Sequence, residues 1–266
     1  MENKIIEKPK RTLVCGDIHG GLKALIQVLQ RCNYNIYDDQ LIFLGDYSDG
    51  WGETAELVEY LIILKEQATY KPIFIKGNHD EWTREWLNTG KKLDMWVMQG
   101  GQATLDSYIR TGYLVKDSHK DFYNSLENYY IDDQNRGFVH GGFVSKNGLG
   151  HDTYDSNYYW DRSLWEIAID SDYYVNTPHN KKEYDEFFRY APYRYEKHKE
   201  IYIGHTATTN WGNKNGPITV PMNKCNVWNL DTGGGFSGKL TIMDIDSKEY
   251  FQSDYVKELY PDERGR

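Results

Sequence analysis

Residues 71–81, KPIFIKGNHDE, carry an apolar run to an abrupt polar stop. Ile73, Phe74 and Ile75 read as a buried strand, and Gly77-Asn78 reads as the turn that ends it. An amide, an imidazole and a carboxylate (Asn78, His79, Asp80) then crowd one strand end. Taken alone, this is also what an ordinary polar turn looks like. The layout recurs, however. Thr12–Cys15 stops at Gly16-Asp17-Ile18-His19-Gly20, and Leu41–Leu44 stops at Gly45-Asp46-Tyr47-Ser48-Asp49-Gly50. Phe138–Val139 stops at His140-Gly141-Gly142, and Ile201–Ile203 at Gly204-His205-Thr206.

Between the first three strands the periodicity changes from two to that of a helix. Leu22, Leu25, Ile26 and Leu29 share one helix face; Ala55, Val58, Leu61, Ile62 and Lys65 share another, within a helix expected over Glu53–Glu66. A βαβαβ run implies parallel strands joined by right-handed crossovers. Ligands of such sheets sit beyond the carboxyl ends of the strands, where all the polar stops fall. The fold class is therefore α/β. A helical stretch rich in Trp and Tyr is expected over about 81–135. An irregular, polar and aromatic insertion is expected over about 143–199, as a lid or rim. Asn226–Leu230, Lys239–Asp244 and Tyr250–Ser253 read as late strands. One domain over 11–253 is expected, with terminal segments 1–10 and 254–266 and loose ends at the first ten residues and Asp262–Arg266.

The strand-end residues Asp17, His19, Asp46, Asn78, His140 and His205 form a mixed nitrogen and oxygen donor set. Such a set suits borderline divalent ions, with Mn, Fe and Zn ahead of Ca or Mg alone. Six protein ligands are too many for a single catalytic ion with an open position, and they suit two ions sharing one ligand. Asp46 is the natural bridge: a carboxylate has two oxygens, and Asp46 ends the central strand of the first three. Two ions roughly 3.5–4 Å apart clamp a phosphate and activate a water. A lone strand-end Asp is ordinarily a helix cap, and a lone His an ordinary core or surface residue. Five such breaks in order argue against coincidence. His119, His151, His179 and His198 follow no strand and are read as structural.

Bulk properties narrow the function classes. The chain has 266 residues and a formal net charge of −9, a balance that makes general binding to nucleic acid or an anionic membrane unfavourable. With 23 Tyr and 15% aromatic residues it is not a disordered chain, despite a mean hydropathy of −0.76. The three cysteines, Cys15, Cys32 and Cys225, have no metal-type spacing and suggest reduced thiols in the cytoplasm. The N-terminal residues lack the apolar core of a signal peptide, and no apolar run approaches the length of a membrane span.

In this order GDIHG, GDYSDG, GNHD, HGG and GHT resemble the calcineurin-like metallophosphoesterase superfamily. More narrowly they resemble its branch of phosphoprotein (Ser/Thr) phosphatases and symmetric diadenosine tetraphosphatases. Trp96–Ile109 (WVMQGGQATLDSYI), Trp160-Asp161-Arg162 and the late NLDTGGGFSGKL resemble bacterial and phage members. The resemblance implies a β-sandwich of mixed sheets flanked by helices in four αββα layers. It implies a first metal at Asp17 and His19, Asp46 bridging, and a second at Asn78, His140 and His205. It also implies that His79 protonates the leaving oxygen, Asp49 orients it, and Arg162 grips phosphate.

Two departures stand out. Gly50-Trp51 follows Asp49 where the family carries Arg, and Lys76 and Asp80 replace the Arg and Glu of its RGNHE. Phosphate grip then falls to Lys76, or to Arg84, Arg189 and Arg194, the last two in the aromatic and basic stretch Phe188–Tyr195. Gly233–Gly235 lacks the Lys-Ser/Thr of a phosphate loop and reads as a turn. The expected activity is hydrolysis of phosphate monoesters by a metal-bridging hydroxide, with two divalent ions, Mn foremost. The expected partner is a phosphorylated protein, nucleotide or small molecule. Hydrolysis of a dinucleoside polyphosphate is the alternative, and a non-catalytic metal- or phosphate-binding scaffold is the alternative of another class.

Overall fold

Alternation along each strand decides which way its side chains face. Leu13 and Cys15 of β1 (Arg11–Cys15) join one apolar cluster with Leu41 and Phe43 of β2 (Asp39–Phe43). Val14 and Ile42, the residues between, join a different cluster. The structure, a computed structural model, describes residues 8–178, 182–183, 186, 194–214 and 216–266.

The first sheet has five strands in the order β12 (Tyr250–Tyr255), β11 (Lys239–Asp244), β1, β2, β3 (Ile73–Phe74). Its β1, β2 and β3 are parallel, with Val14 opposite Ile42 and Ile42 opposite Ile73; β11 joins β1 antiparallel. The second sheet also has five strands, β4 (Tyr129–Ile131), β5 (Arg136–Val139), β6 (Glu200–Ile203), β10 (Val227–Asn229) and β9 (Met222–Lys224). Here β5, β6 and β10 are the parallel set, with Phe138 opposite Tyr202 and Tyr202 opposite Trp228. A small hairpin pairs β7 (Gly212–Asn213) with β8 (Gly216–Pro217).

Val14, Ile42 and Met243 of the first sheet meet Phe138 and Tyr202 of the second in one buried cluster, so the sheets pack face to face. Full burial of each such side chain contributes about 1.5–3 kcal/mol against the conformational entropy of the chain. The outer face of the first sheet is covered by α1 (Leu22–Arg31), α2 (Thr54–Gln67), α3 (Asn78–Thr89), α5 (Gln102–Thr111) and α6 (Asp117–Asn124), with the one-turn α4 (Asp94–Trp96) leading into α5. The outer face of the second sheet is covered by α7 (Ser156–Trp160) and α8 (Ser163–Asn176) through Tyr158, Leu164, Trp165 and Ala168. The layering is αββα, as the resemblance implies, and the expected βαβαβ run forms with the expected parallel pairing.

Three expectations need correction. The helical stretch expected over 81–135 ends at Asn124, and β4 follows. This strand has three residues, too short to display a period, and forms by pairing with β5. Within the insertion expected over 143–199, residues 156–176 are largely regular: they supply α7 and α8, whose exposed Tyr173 and Val175 blur the apolar stripe. Nor is the C-terminal segment loose. Val256–Leu259 forms a helical turn, α9, and Tyr260 is 2% exposed and stacked on Trp51 at 5.3 Å. Within the expected loose end Asp262–Arg266, the Glu263 carboxylate accepts from Gly52 N–H at 2.6 Å and Arg266 N–H donates to Gly235 O at 2.8 Å.

Candidate metal centre

Both parallel strand sets end at the same place. From the first sheet come Asp17 after β1, Asp46 after β2 and Asn78 at the start of α3; from the second come His140 after β5 and His205 after β6. All five, with His19, His79 and Asp49, are buried. The glycines ahead of them are a packing requirement. A Cβ on Gly77 would stand 2.0 Å from Asp46 Oδ1, and one on Gly204 would stand 2.1 Å from Asp17 Oδ1. The backbone is held in sparsely populated conformations here too: His19, Asp46, Asp49 and His205 have positive φ.

Asp46 is central. Its Oδ2 lies 3.5 Å from His19 Nε2 and 3.4 Å from His140 Nε2, while its Oδ1 accepts from the His79 backbone N–H at 3.0 Å. Two groups of ligand atoms close enough to share an ion, Asp17–His19–Asp46 and Asp46–His140–His205, meet at this carboxylate. His19 Nδ1 contacts Ser48 O at 2.9 Å and His140 Nδ1 contacts Leu44 O at 2.8 Å, so each Nδ1 carries a proton and each Nε2 is the nitrogen turned inward, where it could ligate a cation once deprotonated. Asn78 Oδ1 lies 3.2 Å from His140 Nε2.

Asp17 Oδ1, Asp46 Oδ2, His79 Nε2 and His205 Nε2 are all buried with no hydrogen-bond partner. Orphaned polar atoms are costly, and three of them, on Asp17, Asp46 and His205, fall in the two groups that meet at Asp46, which fits a pair of divalent cations. The electrostatics agree. Burial pushes Asp17 well above the carboxylate range, with Asp231 and Asp46 adding to it. Burial pushes His19 down to about 3, helped by Arg266, and pushes His205 well down, helped by His140. For His140 burial is outweighed by Asp46 and Asp17, which hold it at about 9; Asp46 in turn is held well below its usual range because His140 and His79 outweigh burial. Cations would relieve the carboxylate repulsion.

Beside this set, His79 Nδ1 meets Asp49 Oδ2 at 2.5 Å, leaving Nε2 facing the cluster. Asp49 is fixed by Trp96 Nε1–H at 2.8 Å and by the Thr104 hydroxyl at 2.7 Å. Trp82 sets its ring edge against His79 at 5.1 Å. Arg162 is exposed and donates from Nη1 to His205 O at 3.0 Å and to Thr206 Oγ1 at 2.8 Å, which places it on the second-sheet side.

Other residues singled out from the sequence go elsewhere. Lys76 pairs with Glu81 at 3.3 Å and lies over the Tyr159 ring at 4.9 Å; Arg84 clasps the same Glu81 at 2.6 Å. Arg194 is buried, donating to Ser163 Oγ at 2.6 Å and pairing with Asp161 at 3.4 Å, a structural tie at the start of α8. Lys76 and Arg194, expected to grip substrate, are thus each engaged by a carboxylate of the scaffold. Arg189 and His179 lie outside the described residues. His119 bridges Tyr108 and Glu59, and His198 accepts from Leu149 N–H at 3.0 Å, as expected of structural histidines.

Three contributors escape a sequence reading. Asp231 follows β10, is 4% exposed, and is raised to about 6 by burial. It ends a parallel strand as the others do, but Leu230 precedes it in place of glycine, which hides it among the turn residues. Asp80 accepts the backbone N–H groups of Asp46 (2.7 Å), Tyr47 (2.8 Å) and Gly77 (2.8 Å), so it builds the loop that carries Asp46. Arg266 brings Nη1 to 3.4 Å from His19 Nε2, a contact no local pattern announces.

Similarity to known proteins points the same way. Over 69 residues the chain is 36% identical to a symmetrical bis(5'-nucleosyl)-tetraphosphatase of Marinomonas sp. (strain MWYL1), covering 26% of this chain and 24% of that protein. Over 70 residues it is 34% identical to the serine/threonine-protein phosphatase SIT4 of Candida albicans, covering 25% and 22%. The matches thus span about a quarter of these curated relatives. A crystal structure of a putative diadenosine tetraphosphatase superposes with a TM-score of 0.57 at 15% identity, covering 92% of this chain and 95% of that one, a likeness of fold. The calcineurin-like phosphoesterase family matches over residues 10–218, most of the chain, and the chain belongs to that family.

Proposed function

We propose that the protein is a metal-dependent phosphoesterase that hydrolyses phosphate monoesters at the cluster around Asp46. The carrying observation is the convergence of unpartnered ligand atoms on that carboxylate. Asp17, His19 and Asp46 would hold one divalent ion and Asp46, Asn78, His140 and His205 the other, with Mn the first choice and Fe or Zn acceptable to the same donors. Bound there, the ions would supply Lewis acidity, making water a nucleophile at neutral pH and offsetting phosphate charge. His79, steered by Asp49, presents Nε2 to the departing oxygen and delivers its proton. Arg162 grips two phosphate oxygens through its planar fork. Three free cysteines support a cytoplasmic setting, and among the described residues no helix is long and apolar enough to cross a membrane.

Diadenosine tetraphosphate or a related dinucleotide is the second substrate class. It is favoured by Trp160, 42% exposed and edge-on to both Trp82 (5.2 Å) and His205 (6.2 Å), a surface on which a base can stack.

With Mn and p-nitrophenyl phosphate, Asp46→Asn or His140→Ala is expected to lower kcat by about 10³-fold or more, together with metal loss in elemental analysis. Near wild-type turnover in either variant would refute the site. Product chromatography on diadenosine tetraphosphate beside a phosphopeptide separates the two substrate classes.

A further inference from the structure

We propose that Arg266, delivered by the segment Tyr260–Arg266, is a second phosphate-gripping residue that works with Arg162 at the same site. This rests on the phosphoesterase reading above.

The segment is built into the site's wall. Tyr260 stacks on Trp51, and its hydroxyl bonds to Glu53 and accepts from Lys23 N–H. The Glu263 carboxylate accepts the Gly52 backbone N–H at 2.6 Å. Arg266 N–H donates to Gly235 O at 2.8 Å, and the guanidinium lies 5.2 Å over the Phe236 ring. These contacts sit on both sides of the Asp49–Trp51 loop and hold a half-buried guanidinium beside His19.

Space and charge both suit that role. Gly50 has φ +110, which excludes an unstrained side chain at that position, and Arg266 Cβ lies 3.6 Å from where a Cβ on Gly50 would stand. The Arg266 stem therefore fills the ground above the Asp49 loop. Among the described residues, Arg11, Arg31, Arg84, Arg110, Arg136 and Arg194 each form an ion pair with a carboxylate. Arg162, Arg264 and Arg266 form none; of these, Arg162 donates to His205 O at 3.0 Å and Arg266 Nη1 lies 3.4 Å from His19 Nε2, so both guanidinium groups border the cluster around Asp46. Two like charges brought together without a carboxylate partner make a site for an anion. Of the buried carboxylates nearby, Asp17 and Asp46 are the ones cations would claim, and Asp231 acts on both guanidinium groups without an ion pair to either, so the fork geometry is left for an anion from outside. His19 Nε2, the present neighbour of the guanidinium, is the lone pair that would turn to a cation, freeing the fork for phosphate oxygens.

The test uses the full chain loaded with Mn and inorganic phosphate as the probe. Phosphate is followed both as a competitive inhibitor of p-nitrophenyl phosphate hydrolysis and by calorimetric binding, with bound Mn measured in every variant. Arg266→Ala is expected to weaken phosphate about 10-fold, the worth of one charge-assisted contact, at unchanged Mn content. Arg266→Lys should fall between wild type and Arg266→Ala. Glu263→Ala, which unties the segment from Gly52, should reproduce part of the loss, and free guanidinium should restore part of the affinity of Arg266→Ala. Unchanged phosphate affinity in Arg266→Ala overturns the proposal. Tighter binding overturns it as well, since the segment would then be a plug. If the wild-type protein hydrolyses no phosphate ester, the phosphoesterase reading falls instead, because calorimetry still reports whether phosphate binds through Arg266.

Discussion

The two halves of the site are built in opposite ways. The first sheet supplies Asp17, His19, Asp46, Asn78 and His79 from three consecutive parallel strands, each separated by one helix. The second sheet supplies His140, His205 and Asp231 from strands with long intervening segments, including α7, α8 and residues outside those described. In the first half the loops brace one another: Asp80 at the start of α3 ties down the Asp46 loop, and Trp96 and Thr104 fix Asp49. In the second half each ligand leans on the opposite sheet. His140 bonds to Leu44 O, and the His205 backbone N–H donates to Asp17 Oδ2 at 3.0 Å. A site assembled this way makes the first half a self-supporting platform and the second half a set of reporters on whether the sandwich has closed.

That contrast can be broken by experiment. The largest expected effect belongs to the brace of the first half. Asp80→Ala leaves three buried backbone N–H groups without their acceptor and is expected to cost about 3–5 kcal/mol of stability. At about 2–4 °C per kcal/mol for a domain somewhat smaller than this one, thermal unfolding would show it clearly. A melting temperature within a degree of wild type would show that the Asp46 loop is not held from α3. Next is the second half. Asp231→Asn is expected to lower Mn affinity about 10–100-fold through its neighbour Asp17, with little change in melting of the protein without added metal. Metal titration followed by calorimetry checks this, and unchanged affinity would remove Asp231 from the site. The smallest effect is expected from Trp96→Phe, which removes one donor from Asp49 and should lower kcat about 5-fold, equivalent to about 1 kcal/mol, with KM held. A change confined to KM would place Asp49 in substrate binding and not in the steering of His79.

Legibility followed the same division. The first half was readable because strand, glycine, polar stop and helix occur in short order, and each signal is local. His140 and His205 were readable as the same stop repeated. Asp231 was not, because Leu230 stands where the other stops have glycine or are followed by it. β4 is not legible because three residues carry no period, and α8 because exposed Tyr173 and Val175 blur its apolar stripe. The sequence shows no Arg after Asp49, and its own candidates for phosphate grip beside Lys76 are Arg84, Arg189 and Arg194. Of these, Arg84 and Arg194 are held by Glu81 and Asp161. The guanidinium nearest the cluster's first-sheet side came instead from Arg266, far along the chain.

The order of residues alone determined the alternating layers, the parallel βαβαβ run and the identity of most side chains of the candidate metal centre, because hydrophobic period and glycine stops act over a few residues. Only the tertiary structure decided that Asp46 stands between two histidines, that Asp80 is a brace, and that the segment carrying Arg266 forms part of the wall. Those outcomes depend on which distant surfaces meet when two sheets bury their inner faces, and no short-range pattern encodes that meeting.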